Sequence, residues 1–252
     1  MIYDCFPFFD ELDVLEIRLN ELDPVVDKFV LVEATVTHSG KPKPLHFQNN
    51  KERFAAFLDK IIHVVVEDMP QSKNPWLREH FQRDCVVRGL TNAAPDDIVM
   101  LSDADEIPRA SVVATMTPPC VMVLDYYYYR LNIRRVTPTR GLATTLAVKR
   151  AELGRPHDAR TNRGQFPKIP DAGWHFTYLG SAEKISEKLQ AYAHQEFNLP
   201  QFTSVENIEA AIVSGTDLLH RSDKTYEVLE LDSSWPAHIL ANRERFEHLI
   251  AP

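Results

Sequence analysis

Residues 98–106 read Ile-Val-Met-Leu-Ser-Asp-Ala-Asp-Glu, an apolar run that ends in carboxylates. The apolar part predicts a strand buried on both faces, and two similar runs precede it at 28–34 and 61–66. Helical patterns lie between these runs, and strands that alternate with helices are typical of βαβ units with parallel strands. Ligands bind to such sheets at the carboxyl ends of the strands. The acidic turn at 102–106 is therefore the first candidate site.

The remaining periodicity completes an α/β pattern. Residues 12–22 carry leucines at the spacing of an amphipathic helix, with Asp10 placed to cap it. Further helices are predicted over 51–59, 75–90, 108–115 and 181–197, and a further strand over 121–130. Residues 150–173 show little periodicity and are interpreted as an irregular loop. We predict a single domain with a mostly parallel sheet flanked by helices.

Composition limits the class of partner. The chain has 252 residues, of which 44% are hydrophobic and 25% are charged, so it can bury a sizeable core. Its formal net charge of −8 at pH 7 provides no basic field for a nucleic-acid backbone. We therefore predict no nucleic-acid partner.

The cysteines and the apolar runs indicate a compartment. Cys5, Cys85 and Cys120 lie far apart and show no spacing typical of zinc sites or disulfides. No apolar run reaches the roughly 20 residues of a membrane helix, and the N-terminal residues lack a signal-peptide pattern. The sequence predicts a cytoplasmic location, no transmembrane segment and, without a cationic amphipathic helix, at most weak association with a membrane surface.

The acidic turn has a chemical interpretation. Asp103 and Asp105 place two carboxylates where sheet hydrogen bonds cannot satisfy them, and their mutual repulsion favours a bound cation. Mg²⁺ and Mn²⁺ bind through carboxylates together with substrate phosphate oxygens, which fits a nucleoside diphosphate. Two alternatives stay open, an acidic cap on a helix that starts near Pro108 and the aspartyl nucleophile of a phosphatase. An EF-hand loop that begins at Asp103 is excluded, because its sixth position requires glycine and this chain has Pro108 there.

A second polar segment, residues 171–184, reads DAGWHFTYLGSAEK. His175 can complete the coordination of a metal, and an imidazole ligand shifts the preference toward Mn²⁺. Gly180 allows a phosphate to approach closely, and Lys184 near a helix N-terminus can neutralise it. The alternative is a packed Trp174 beside a structural histidine and an exposed lysine.

Several collinear segments carry a resemblance to a known family. They cover residues 2–22, 27–47, 101–109 and 171–185, with a weaker match at 239–246. In this order they resemble glycosyltransferase family 17. The resemblance implies a GT-A fold, a UDP-sugar donor with N-acetylglucosamine as the sugar, a divalent metal, and inversion at the anomeric carbon. The implied acceptor is a glycan or glycoconjugate, as in polysaccharide biosynthesis.

The resemblance also implies roles for individual residues. Asp105 resembles the direct metal ligand, Asp103 the carboxylate nearer the ribose, and His175 the late histidine of the metal site. Contacts to the nucleotide and its diphosphate are implied for Lys184, Glu33 and Arg83.

Inverting transfer requires a carboxylate base and a Lewis acid on opposite sides of the anomeric carbon. Asp171 is the predicted base, because it precedes the metal-site histidine in a loop that faces the acceptor. Asp158 and Glu106 stay open as alternatives.

An aromatic platform for the acceptor sugar is predicted from Trp174 and the tyrosines at 126–129. Only alternate residues of a strand share a face, so at most two of the four tyrosines line the site, and Tyr127 and Tyr129 are taken as that pair.

The leading hypothesis is a metal-dependent glycosyltransferase. We divide its single domain, 1–252, into a nucleotide-binding half at 1–105, an acceptor side that completes the metal site at 106–216, and a helical C-terminal cap at 217–252. Two alternatives stay open. The first is a Mg²⁺-dependent aspartyl phosphatase or phosphotransferase with Asp103 as nucleophile, and the second is a nucleotide-sugar or glycan-binding protein without turnover.

Overall fold

A computed structural model describes residues 1–136, 141–221 and 225–252. Its strands are β1 (Ile2–Phe8), β2 (Lys28–Ala34), β3 (Ile61–Val66), β4 (Ile98–Leu101), β5 (Glu106–Pro108), β6 (Cys120–Tyr128), β7 (Ile133–Val136), β8 (Leu142–Lys149), β9 (Lys168–Ile169), β10 (Gly173–Thr177) and β11 (Thr225–Val228). Its α-helices are α1 (Leu12–Leu22), α2 (His46–Asn49), α3 (Pro75–Asp84), α4 (Ala110–Val113), α5 (Pro156–Thr161), α6 (Ala182–Ala191), α7 (Pro200–Thr203), α8 (Val205–Ser214) and α9 (Ala237–Ala241).

The N-terminal half of the sheet is parallel. Its strands lie in the order β3-β2-β1-β4, and every neighbouring pair among them is parallel. β2 is almost fully buried, as its apolar sequence predicts, because helices cover both faces of a parallel sheet. The carboxyl ends of β1, β2 and β4 therefore meet at one edge, and the acidic turn follows β4.

The C-terminal half makes the sheet mixed, so the predicted parallel arrangement applies to the first four strands. β8 runs antiparallel to both β4 and β6, and β7 and β11 extend the sheet in antiparallel order. β10 lies between β5 and β6, antiparallel to the first and parallel to the second. This position brings the segment around His175 beside the acidic turn.

Helix α3 differs from its prediction. The α-helix ends at Asp84 and a 3₁₀ helix continues over Cys85–Gly89. Its buried side chains are polar, namely Arg78, Gln82 and Arg83, whereas the apolar Trp76 is 36% exposed. The reason is that α3 crosses the carboxyl ends of the strands, where unpaired carbonyl groups need donors. Gln82 Nε2 donates to the Val32 carbonyl at 2.9 Å.

Several boundaries also shift. Asp10 does not cap α1, because the N-cap is Glu11 and no side chain accepts a capping hydrogen bond there. The segment 150–173 contains α5 and short 3₁₀ turns rather than an irregular loop. The C-terminal segment contributes β11 in addition to α9.

None of the helices in the described ranges has both the length and the apolar composition that a membrane span requires.

Candidate functional site

A cavity of about 350 Å³ opens at the carboxyl ends of β1, β2 and β4. This volume lies within the usual range for small-ligand sites. Its wall combines the acidic turn with residues of α3, β10 and α6, including Phe9, Trp76, Arg83, Asp105, His175 and Lys188.

Asp103 is held between two arginines. Arg83 Nη2 donates to one carboxylate oxygen at 2.8 Å, and Arg160 Nη2 donates to the other at 2.8 Å. Glu106 supports this arrangement by accepting from Arg160 at 2.6 Å and from the Asp103 backbone N–H at 2.8 Å. Burial would raise the pKa of Asp103, but the charges of Arg160 and Arg83 outweigh it and hold the pKa well below its ordinary value.

A fully buried arginine, Arg18, holds the backbone of the acidic turn in place. Arg18 Nη1 donates to the carbonyl groups of Asp103, Ala104 and Glu106, the last at 2.6 Å. Its charge is balanced by Asp4, which accepts two hydrogen bonds at 2.6 and 2.7 Å. A buried charge requires such pairing, and here the pairing also sets the shape of the turn.

Asp105 faces a different set of partners. His175 Nε2 lies 3.3 Å from one oxygen, and Lys188 Nζ donates to the other at 3.1 Å. Lys188 also contacts Glu11 at 3.0 Å. Burial would raise the pKa of Asp105, but the charges of Lys188 and His175 outweigh it and lower the pKa. Burial would lower the pKa of His175, and the nearby Asp105 charge raises it instead.

These side chains fit a divalent cation. Asp105 and His175 supply one carboxylate oxygen and one imidazole nitrogen on neighbouring walls of the cavity, a donor set suited to Mn²⁺. Among the described residues that line the cavity, two have a buried nitrogen without a hydrogen-bond partner, namely Arg83 Nη1 and His175 Nδ1. Buried polar atoms are normally paired, so the cavity is prepared for polar ligand groups.

Of the predicted nucleotide contacts, Arg83 lines the cavity and Glu33 does not. Glu33 is fully buried and accepts from the Phe47 N–H at 3.0 Å, with His63 Nε2 also at 3.0 Å. It therefore holds the segment after β2 in place instead of reaching a ligand.

Gly180 and Lys184 line a second crevice, which lies next to the cavity and shares Glu11 and Lys188 with it. Lys188, one helical turn beyond Lys184, occupies the place in the cavity predicted for Lys184. A spacing of four residues puts both lysines on one helix face, so this pattern was visible in the sequence.

The three predicted bases lie away from the lining of the cavity. Asp171 lies just before the first residue of β10, whereas Thr177, at the other end of the strand, lines the cavity. The Asp171 side chain is 56% exposed, and its carboxylate lies 3.6 Å from the Arg109 guanidinium group. Asp158 is an exposed residue of α5 close to Arg155. Glu106 is 2% exposed and paired with Arg160 beneath the turn, which corrects its predicted catalytic position.

The predicted aromatic platform is also corrected. Trp174, Tyr127 and Tyr129 are buried in the core at 3% exposure or less. Tyr129 is fixed by hydrogen bonds of its hydroxyl group to the Thr216 carbonyl and the Leu218 N–H. Of the four tyrosines at 126–129, Tyr126 lines the cavity, with its ring centroid 4.1 Å from that of His175. Successive tyrosines point to opposite faces as expected, but the face that meets the cavity carries Tyr126 and not Tyr127 and Tyr129.

The parallel strands, the paired carboxylates and the surrounding cations place the chain among the α/β proteins that have a polar cavity at the carboxyl edge of the sheet. The sequence profile of glycosyltransferase family 17 matches residues 1–250, and the chain belongs to this family. The family that the sequence resembles is therefore confirmed.

Relatives agree with this assignment. The human beta-1,4-mannosyl-glycoprotein 4-beta-N-acetylglucosaminyltransferase is 34% identical over 106 residues, which cover 39% of this chain and 20% of the relative. The protein of the same name from Rattus norvegicus is also 34% identical over 106 residues, with the same coverage. The matched segment thus spans about a fifth of these relatives.

Among solved structures, Mycobacterium tuberculosis glucosyl-3-phosphoglycerate synthase aligns with 95% of this chain and 92% of its own, at 13% identity and a TM-score of 0.39. The same synthase in complex with Mn²⁺, UDP-glucose and phosphoglyceric acid aligns with the same score.

Proposed function

We propose that the chain is a metal-dependent, inverting glycosyltransferase that transfers N-acetylglucosamine from UDP-N-acetylglucosamine to a glycan hydroxyl group. The observation that carries this proposal is the approach of His175 to Asp105 at 3.3 Å in a cavity at the carboxyl ends of parallel strands. The name of the curated relatives supports N-acetylglucosamine as the sugar. A glycan or glycoconjugate is proposed as the acceptor, and the cytoplasmic location stays a prediction.

Asp105 and His175 would hold the cation, Mn²⁺ or Mg²⁺. When bound, the cation supplies Lewis-acid stabilisation of the negative charge on the diphosphate leaving group. Arg83 and Lys188 add positive charge to the same cavity. Lys188 now pairs with Asp105, and on ligand binding its ammonium group can pair with a phosphate oxygen instead.

Asp103 is fixed for binding rather than for nucleophilic attack. Both of its oxygens already accept hydrogen bonds from arginines. A phosphatase nucleophile needs a carboxylate oxygen free to attack phosphorus, so this geometry argues against the phosphatase alternative. Its remaining acceptor capacity suits a ribose hydroxyl group.

The general base is proposed from two carboxylates. Asp171 is the residue predicted from the sequence. Asp10 lies in the second crevice beside Glu11 and Lys184, and burial together with the Glu11 charge raises its pKa to about 6. A base is most effective with a pKa near the working pH. Asp10 lines the adjoining crevice and not the cavity itself, and its raised pKa makes it the favoured candidate.

Calorimetric titration of UDP and UDP-N-acetylglucosamine tests the donor site. We expect binding in the presence of Mn²⁺ that weakens at least about tenfold with chelator or in Asp105→Ala. Asp96→Ala is the matched control, since Asp96 is an exposed carboxylate that pairs with Lys149 before β4. UDP binding that is absent in every condition, or that is equal in Asp105→Ala and the wild type, would contradict the proposal.

A further inference from the structure

Three side chains with metal-binding groups meet beside the cavity, and one of them, Glu79, also lines it. Glu79 and His80 come from α3 and His157 comes from α5, and one ligand atom of each lies within 4.8 Å of the others. Glu79 Oε2 is 3.7 Å from His80 Nε2 and 3.9 Å from His157 Nδ1. The two imidazole rings stack with their centroids 3.5 Å apart. The proposed transfer reaction uses neither histidine.

The two carboxylate oxygens of Glu79 contact different groups. Oε1 accepts from Arg83 Nε at 2.9 Å and from Arg83 Nη2 at 2.5 Å. Oε2 is left facing the two imidazoles. We propose that Glu79, His80 and His157 form a second metal site, which binds a borderline transition-metal ion of the Zn²⁺ type and is distinct from the Asp105–His175 pair.

The ligand types support this choice of ion. Two imidazole nitrogens and one carboxylate oxygen form a three-ligand zinc set that leaves a fourth position for water. The three side chains are between 14% and 29% exposed, so an ion can reach them while part of its surroundings stays dry.

The two helices that carry the ligands are already joined. Asp84, at the end of α3, accepts from the His157 N–H at 2.9 Å and from Arg155 Nε at 2.6 Å. A tetrahedral ion with bonds near 2.0–2.1 Å places its ligand atoms about 3.3 Å apart. Because the three ligand atoms lie within 4.8 Å of one another, side-chain rotations that shorten each separation by at most about 1.5 Å close the site.

The site would be coupled to the acidic turn. Arg83 bridges Glu79 and Asp103, and Arg160 on α5 holds the other oxygen of Asp103. An ion bound between α3 and α5 would therefore fix the two helices that position both arginines.

Metal titration of the full chain, first freed of metal by dialysis against chelator, tests the site. We expect one tight Zn²⁺ per chain in competition with a chromophoric chelator, and an intense visible absorption of tetrahedral type with Co²⁺. His80→Gln and His157→Gln should each weaken Zn²⁺ binding at least about tenfold. His220→Gln is the control, because His220 is an exposed histidine packed against Phe202.

Asp105→Ala separates the two sites. It should keep the tight Zn²⁺ while losing metal-dependent UDP binding, so failure of either proposal is visible without the other. Circular dichroism checks that each variant is folded. Zn²⁺ affinity that is unchanged in both histidine variants, or that is lost in Asp105→Ala, would overturn the proposed site.

Discussion

Asp103 and Asp105 stand two residues apart, yet the structure gives them different environments. Asp103 is enclosed by the guanidinium groups of Arg83 and Arg160, whereas Asp105 meets His175 and Lys188. Both carboxyl groups have lowered pKa values. Each therefore contributes stability that is present above the ordinary pKa of aspartate, near 4, and is lost as the pH falls below it.

The pKa of Asp10 is shifted in the opposite direction, and Asp10→Asn tests the effect of this shift on stability. A carboxyl group with its pKa raised to about 6 contributes stability below its unfolded value of 3.8 and loses that contribution as the pH rises through 6. The amide should therefore raise stability at pH 7–8 by about 1–3 kcal/mol and have little effect at pH 3. Urea unfolding at the two pH values measures this difference. Equal effects at both would contradict it.

The same variant tests the proposed base. If Asp10 removes the acceptor proton, Asp10→Asn lowers kcat at least about 100-fold while UDP binding is retained. Asp171→Asn, made in parallel, should then stay close to wild type. The reverse result would assign the base to Asp171, as the sequence predicts.

At the scale of elements, β10 decides whether the metal ligands meet. Its pairing with β5 places His175 opposite Glu106, directly beside the acidic turn. Gly173 begins the strand with φ 151°, and an added Cβ would lie 2.2 Å from the Ile107 carbonyl oxygen. Only glycine allows this approach of the two strands.

Gly173→Ala should therefore push β10 away from β5. We expect a loss of about 1–3 kcal/mol in unfolding free energy, together with weaker Mn²⁺-dependent UDP binding because His175 moves. Urea unfolding and calorimetry measure the two effects. Gly164→Ala is the control, since an added Cβ there meets nothing within 4 Å. Wild-type stability in Gly173→Ala would contradict the assigned role of the glycine.

At the scale of the whole molecule, the C-terminal segment packs on the first helix. Trp235, Ile239 and Phe246 share an apolar cluster with Val14 and Ile17 of α1. Trp235 Nε1 also donates to the Leu131 carbonyl at 3.2 Å. The two ends of the chain therefore share one core, in agreement with the predicted single domain.

Trp235→Ala should cost about 3–5 kcal/mol of unfolding free energy, because it leaves a large cavity in this cluster. Trp76→Ala is the comparison for stability, since Trp76 is 36% exposed and should cost much less. Urea unfolding followed by circular dichroism should show a single transition in both variants. A separate early transition in Trp235→Ala would mean that the C-terminal segment unfolds independently.

The sequence by itself determined β2, β3 and β4 of the parallel half, the acidic turn that follows β4, and the family. Continuous apolar runs such as 28–34 and 61–66 leave few alternatives to buried strands, and the observed bounds of β2 and β3 match them. The candidate metal ligands Asp105 and His175 were also predicted, because each lies in a distinctive local motif.

Only the tertiary structure decided the partners of those motifs. Arg18 and Arg160 reach the acidic turn from 85 and 57 residues away, and no local pattern marks an arginine for burial. The proposed second metal site likewise brings together His80 and His157, which are far apart in the sequence and show no metal-binding spacing. Periodicity reports which face of an element is buried, but the packing of distant elements decides which charged groups meet there.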